Sequence, residues 1–236
     1  MSVLLENIRD MKFEKAWQEK FESAIAAHAG REIRDTVMSV CPTGDSVDSP
    51  EAIILWTAEA IERLDQAVDE RQAQAILLDC GCQYPAEAIE PIAADFQAHG
   101  DIDRALEKLQ ELFLRFLRED LQLTEEQIDM IVERGWGLAG RRDGDTVIAT
   151  KIPKSEYLSA YLGEVDPQKR RQYYCHCPRI RDASAMGIFL SATYCYCGGG
   201  FYRGIWERIL GRDVQIEMLQ SVLRGDEVCQ FRVNLR

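Results

Sequence analysis

The sequence predicts an α+β fold: a helical N-terminal region packed on a C-terminal domain with an antiparallel sheet and flanking helices. Three observations carry this. Apolar residues recur at helical spacing through the first 125 residues, the period changes past Gly140, and the chain closes on two segments that alternate apolar and polar residues. The boundary falls between a helical region, 1–125, and a cysteine-rich α+β domain, 126–236.

In chain order, Leu4, Ile8, Met11, Trp17, Phe21 and Ile25 mark a first amphipathic helix that stops near Gly30. A second helical stretch leads into a polar loop from Cys41 to Asp48. Ser49-Pro50-Glu51 reads as an N-cap with proline at the first helical position, opening a helix through Ile54, Ala58, Ile61 and Leu64. Further helices are expected over 69–79, 86–98 and 102–121, the last carrying Leu106, Leu109, Phe113 and Phe116 on one face. Thr124 to Gln127 is a capping-box pattern, opening a short helix that Gly135 and Gly137 end.

Past Gly140, the β-branched run Thr146 to Thr150 follows the turn residues Asp143-Gly144 and reads as a strand. Ser155 to Leu162 should be helix and Met186 to Thr193 a strand. Gly200 to Leu210 should be helix, with Phe201, Ile205 and Ile209 on one face and Gly211 as its stop. Val214, Ile216 and Met218 alternate with polar residues, as do Cys229, Phe231, Val233 and Leu235. Arg224 to Glu227 supplies the turn between them.

Composition narrows the function classes. Hydrophobic residues make up 46% and charged residues 29%, an ordinary globular balance. No apolar run approaches the roughly 18–20 residues that span a bilayer. The start, Met1-Ser2-Val3-Leu4-Leu5, lacks the basic opening of a secretion signal, so a cytoplasmic location is expected. The net charge of −12 is uneven, with 26 acidic and 12 basic residues in 1–125 against 14 and 16 in 126–236. An acidic chain with no dense Lys/Arg stripe argues against nucleic acid and membrane as partners. A small-molecule ligand is the expected partner, and a homodimer is left open. Ser/His/Asp arrangements and glycine-rich nucleotide loops are absent, and no catalytic residue is assigned.

The chemistry lies in the cysteines. Six of the eight fall in three Cys-x-Cys pairs, Cys80/Cys82, Cys175/Cys177 and Cys195/Cys197. In a reducing compartment clustered thiols point to metal rather than disulfides. On a strand, residues i and i+2 share a face and lie about 6.5–7 Å apart, wider than the roughly 5.5–6 Å of a disulfide. Cys175, Cys177, Cys195 and Cys197 are therefore expected to hold one metal. Cys80 and Cys82 would join that site or form a second. Zinc is the expected cofactor, with an iron–sulfur cluster as the alternative.

The surroundings suggest a ligand as well. Gly198, Gly199 and Gly200 precede a helix, an arrangement expected to turn backbone N–H groups toward an anion and to lower a thiol pKa. Arg179, with Arg170, Arg171 and Arg181, would add positive potential. His176 should face away from its flanking cysteines, Cys41 is a loop thiol and Cys229 a core residue. Two readings follow. One is a metal-thiolate protein that binds or senses a small molecule. The other is a hydrolase of a small sulfur- or nitrogen-containing substrate, using an open metal position or Cys197 as nucleophile. Whether the chain is an enzyme stays open.

The last forty residues carry a resemblance. Gly204-Ile205-Trp206-Glu207, Leu210-Gly211-Arg212, Val214-Gln215-Ile216-Glu217, Ser221-Val222-Leu223, Gly225-Asp226 and Cys229-Gln230-Phe231 resemble the end of the 4-vinyl-reductase-type domain. They are also similar to the end of the L-2-amino-thiazoline-4-carboxylate hydrolase family. That resemblance implies an α+β fold with a small-molecule pocket beside the sheet. Cys175-His176-Cys177-Pro178-Arg179 and Tyr194 to Gly200 resemble an uncharacterised bacterial family with no activity to carry over. The Cys pairs depart from the vinyl-reductase pattern.

Overall fold

The structure is a computed structural model that describes residues 3–41 and 50–236, with side chains of the first helix described from Glu14. The loop expected from Pro42 to Asp48 and the Ser49 cap lie outside the described residues. Helix α1 (Val3–Ala29) and α2 (Arg31–Met38) meet at Gly30, whose φ of 87° only glycine takes up readily. They are followed by α3 (Pro50–Ala67), α4 (Glu70–Asp79), α5 (Ala86–His99), α6 (Ile102–Glu119) and α7 (Glu125–Glu133). Asp69 and Asp101 cap α4 and α6 by accepting from backbone N–H groups. The expected capping box is present: Thr124 Oγ1 accepts from Gln127 N, and Gln127 Oε1 accepts from Thr124 N at 3.0 Å.

The C-terminal part holds strands β1 (Arg141–Asp143), β2 (Thr146–Thr150), β3 (Gln215–Gln220) and β4 (Gln230–Asn234), all antiparallel in the order β1-β2-β4-β3. Register sets Val147 opposite Val233 and Phe231 between Ala149 and Met218, so one face is a continuous apolar surface. Between β2 and β3 run α8 (Leu158–Gly163), α9 (Pro167–Tyr174), α10 (Pro178–Met186), a 3₁₀ turn over Ala192–Cys195, and α11 (Tyr196–Leu210). Helix α11 lies on the sheet, Tyr202 against Phe231 with ring centroids 5.8 Å apart, and its other sides meet α4 and α5. One apolar core runs from Trp17 to Leu235, joining the helical region to the sheet.

Two expectations are corrected. The strand expected over Met186 to Thr193 is instead the end of α10, a turn at Gly187 (φ 69°) and the 3₁₀ turn. Phe189 is 87% exposed there and pairs with no strand. The cysteines expected on strands sit at helix ends. Asp166 accepts from the N–H groups of Gln168 and Lys169, and Pro167 occupies the first turn, so α9 forms and runs up to Cys175.

Candidate metal centre

The centre begins with a contact between glycines. Helix α4 ends at Asp79, and Gly81 in the turn beyond it packs against Gly200 in the first turns of α11. A β-carbon on Gly81 would stand 2.6 Å from the carbonyl carbon of Gly200, and one on Gly200 would land on the Leu78 carbonyl oxygen. Gly199 meets Ile216 and Phe231 of the sheet in the same way, at 2.9 and 3.2 Å. The start of α11 is thereby wedged between sheet and α4, and the Cys80/Cys82 turn is pressed onto Cys197. Cys197 Sγ donates to Cys80 O at 3.3 Å. The glycine run expected to cradle a ligand is helical, and its missing side chains make room for α4 and the sheet.

Helical backbone divides one Cys-x-Cys pair, Cys195/Cys197, at the start of α11. At about 100° per residue, positions i and i+2 point to nearly opposite sides of a helix. Cys195 is buried on the side of Cys229, Cys175 and Ser221. Cys197 turns the other way, toward Cys80, Cys82 and Cys177. Cys175 and Cys177 lie outside any helix, Cys175 with extended backbone, and stay together: Cys175 Sγ donates to Cys177 O at 3.6 Å beside Cys195 and Cys229, while Cys177 Sγ also meets the Tyr194 hydroxyl at 3.2 Å. Cys80, Cys82 and Cys197 thus form an outer set and Cys175, Cys195 and Cys229 an inner set, with Cys177 between them and interacting with both. Among the described residues no three Cys, His, Asp or Glu side chains already converge as metal ligands.

Arg179 closes one side of the outer set. Its side chain is 2% exposed and stacks 4.4 Å from the Trp17 ring centroid and 5.9 Å from that of Trp56. It donates to Thr57 Oγ1 at 3.1 Å and to the Tyr194 hydroxyl at 3.2 Å, and forms an ion pair with Glu14. These partners leave Arg179 enclosed by protein. Its sequence neighbours turn elsewhere: Arg170 lies over Tyr161, Arg171 faces Glu227, and Arg181 pairs with Asp182 over Tyr157. His176 bonds through Nε2 to the Ile152 carbonyl at 2.7 Å, and Cys41 meets Met38 Sδ at 3.9 Å, outside both thiol sets.

Burial dominates the thiol electrostatics. Loss of water pushes Cys197 up to about 11, offset in part by the Trp17 indole N–H, which donates to its sulfur at 3.4 Å. Burial also raises Cys80, Cys175, Cys195 and Cys229, so these are neutral thiols at pH 7. The expectation that the glycines and helix start would lower the Cys197 pKa is overturned by this burial.

Cys82 alone of the eight cysteines is exposed. It opens on a cavity of about 360 Å³ lined by Ala16, Trp17, Lys20, Cys80, Cys82 and Gln83. Lys20 Nζ and Gln83 Nε2 both donate to Gly81 O, at 3.1 and 3.2 Å, and pin the turn. Trp17 and Lys20 carry no signal in the sequence, because only the tertiary fold brings them to the thiols, whereas Tyr194 stands beside Cys195 among the aromatic residues that crowd the cysteine motifs. Gly81 had one: a glycine inside a Cys-x-Cys pair.

Residues 163–236 match the model of a family of unknown function (DUF6144). No curated protein and no solved structure matches the chain. The comparisons thus agree with the uncharacterised-family resemblance over the C-terminal third and add nothing to the vinyl-reductase or thiazoline-hydrolase resemblance. No helix among the described residues is long and apolar enough to cross a membrane.

Proposed function

We propose that the chain is a metal-thiolate protein in which Cys197, Cys177 and Cys82, with Cys80 beside them, take up one soft cation, zinc first. The observation that carries this is the meeting of one or both members of every Cys-x-Cys pair around Cys197, imposed by the Gly81–Gly200 contact. Neutral buried thiols suit the reading: a divalent ion binds thiolates and displaces their protons, so the uptake energy offsets the cost of ionising them. Cys82 is exposed, so an incoming ion would meet its thiol first. Three thiolates from Cys82, Cys177 and Cys197 would leave the fourth position facing the cavity, where a small molecule could bind and be sensed. Cys80 in that position would close the site.

The hydrolase reading is weaker in its thiolate form, because a buried thiol held near 11 is a poor nucleophile at neutral pH. Its metal form depends on the same open position. Cobalt substitution tests both: titration of metal-free protein with Co²⁺ should raise thiolate-to-metal charge-transfer absorption that Cys197→Ser and Cys177→Ser abolish. A Cys80→Ser variant that keeps the band intensity points to the open, three-thiolate site. No thiolate band in the wild type would refute the proposal.

A further inference from the structure

We infer that Arg179 is a positioning residue for the thiol centre, acting through Tyr194 and Trp17, the two side chains that hydrogen-bond Cys177 and Cys197. The inference rests on the metal-thiolate reading and assigns roles just outside the ligands.

The geometry is a closed chain. The Tyr194 hydroxyl accepts from Arg179 at 3.2 Å and lies 3.2 Å from the Cys177 sulfur, so that once Cys177 is a thiolate the phenol proton is the one shared between them. On the other branch, the Arg179 guanidinium lies over the Trp17 ring, 4.4 Å from its centroid, and the Trp17 N–H donates to Cys197 Sγ at 3.4 Å. The Trp17 and Tyr194 rings also touch, with centroids 5.6 Å apart. One buried guanidinium therefore fixes the orientation of two N–H or O–H donors, each aimed at a different sulfur. A donor that already points at a sulfur stabilises the thiolate more than the thiol, so it favours the deprotonated, metal-bound form. Partners of this kind hold metal ligands in orientation and change affinity without touching the ion.

A purely structural arginine would clamp α1, α3 and α10 and affect the metal only through unfolding. The test separates the two. Co²⁺ affinity is measured by chelator competition for wild type, Tyr194→Phe and Arg179→Lys, alongside the thermal midpoint of each metal-free protein. Tyr194→Phe removes one oxygen and keeps the ring. It should weaken Co²⁺ binding about 10-fold or more and shift the charge-transfer band, with a folded protein in the metal-free state. Arg179→Lys keeps the charge but loses the fork and the flat stacking surface, and should weaken binding in the same direction. Affinities within about twofold of wild type in a folded Tyr194→Phe protein would overturn the inference while leaving the metal reading standing. A wild type that takes up no Co²⁺ would overturn the reading beneath and the inference with it.

Discussion

Gly81 and Gly200 approach so closely that a β-carbon on Gly81 would reach within 2.6 Å of the Gly200 carbonyl carbon. This contact joins the helical region to the C-terminal part at the point where their cysteines meet. It also explains why one Cys-x-Cys pair has glycine at its centre and why the third residue after Cys197 is glycine.

Gly81→Ala should destabilise the protein by about 1–3 kcal/mol, because backbone rather than a flexible side chain must give way. Gly163→Ala is the control: its β-carbon would meet nothing within 4 Å, and its stability should stay within about 0.5 kcal/mol of wild type or rise. Urea unfolding of both variants checks the contrast. Equal midpoints would show that the close contact does not constrain the fold.

Thiol accessibility gives a second expectation. In metal-free native protein, Cys82 should be the first cysteine alkylated by iodoacetamide at pH 7.5. Cys80, Cys175 and Cys195, buried and neutral, should react at rates set by unfolding. Peptide mapping of a time course reads this directly. Early labelling of Cys195 would contradict the inner thiol set.

Stability should fall in alkali. Folding raises the pKa from an ordinary 9.0 to about 11 at Cys197 and about 12 at Cys41. Above pH 9 the unfolded chain therefore holds fewer protons than the native one, and linkage makes unfolding easier as pH rises. The contribution is intact below pH 9 and is lost progressively toward and through the folded values. Urea midpoints of metal-free protein should be level from pH 7 to 8.5 and decline from 9 to 10.5. Cys41→Ala should flatten that decline.

Thr124→Ala, which breaks the capping box at α7, should cost about 1 kcal/mol without altering metal uptake. A denaturation curve paired with a metal assay checks both halves. Loss of metal in this variant would mean that uptake tracks overall stability rather than the thiol centre.

Much of the fold was legible because local chemistry and tertiary packing agree along most of the chain. The capping box at Thr124, the stop at Gly211 and the alternation from Cys229 to Leu235 each describe what forms. The segment between Leu162 and Gly200 was harder. Its helices are short, and β-branched and aromatic residues near Ile188-Phe189 imitate a strand that has no partner. The candidate site inherits that difficulty. The sequence marked the six paired cysteines. Which way each thiol points depends on whether its backbone is helical or extended, and the helical start of α11 splits Cys195 from Cys197 where a strand would have kept them together. Trp17 lies 180 residues from Cys197, and no spacing rule connects them.

The central claim is that the thiols gathered at Cys197 hold a metal. The most direct measurement is elemental analysis with an absorption spectrum on protein purified without oxygen, as wild type, Cys197→Ser and Cys41→Ser. The account predicts about one zinc per chain in the wild type and in Cys41→Ser, lost in Cys197→Ser. A brown protein with iron and sulfide, lost in the same variant, would keep the site and change the metal. Metal-free wild type, or zinc that survives Cys197→Ser, would contradict the account.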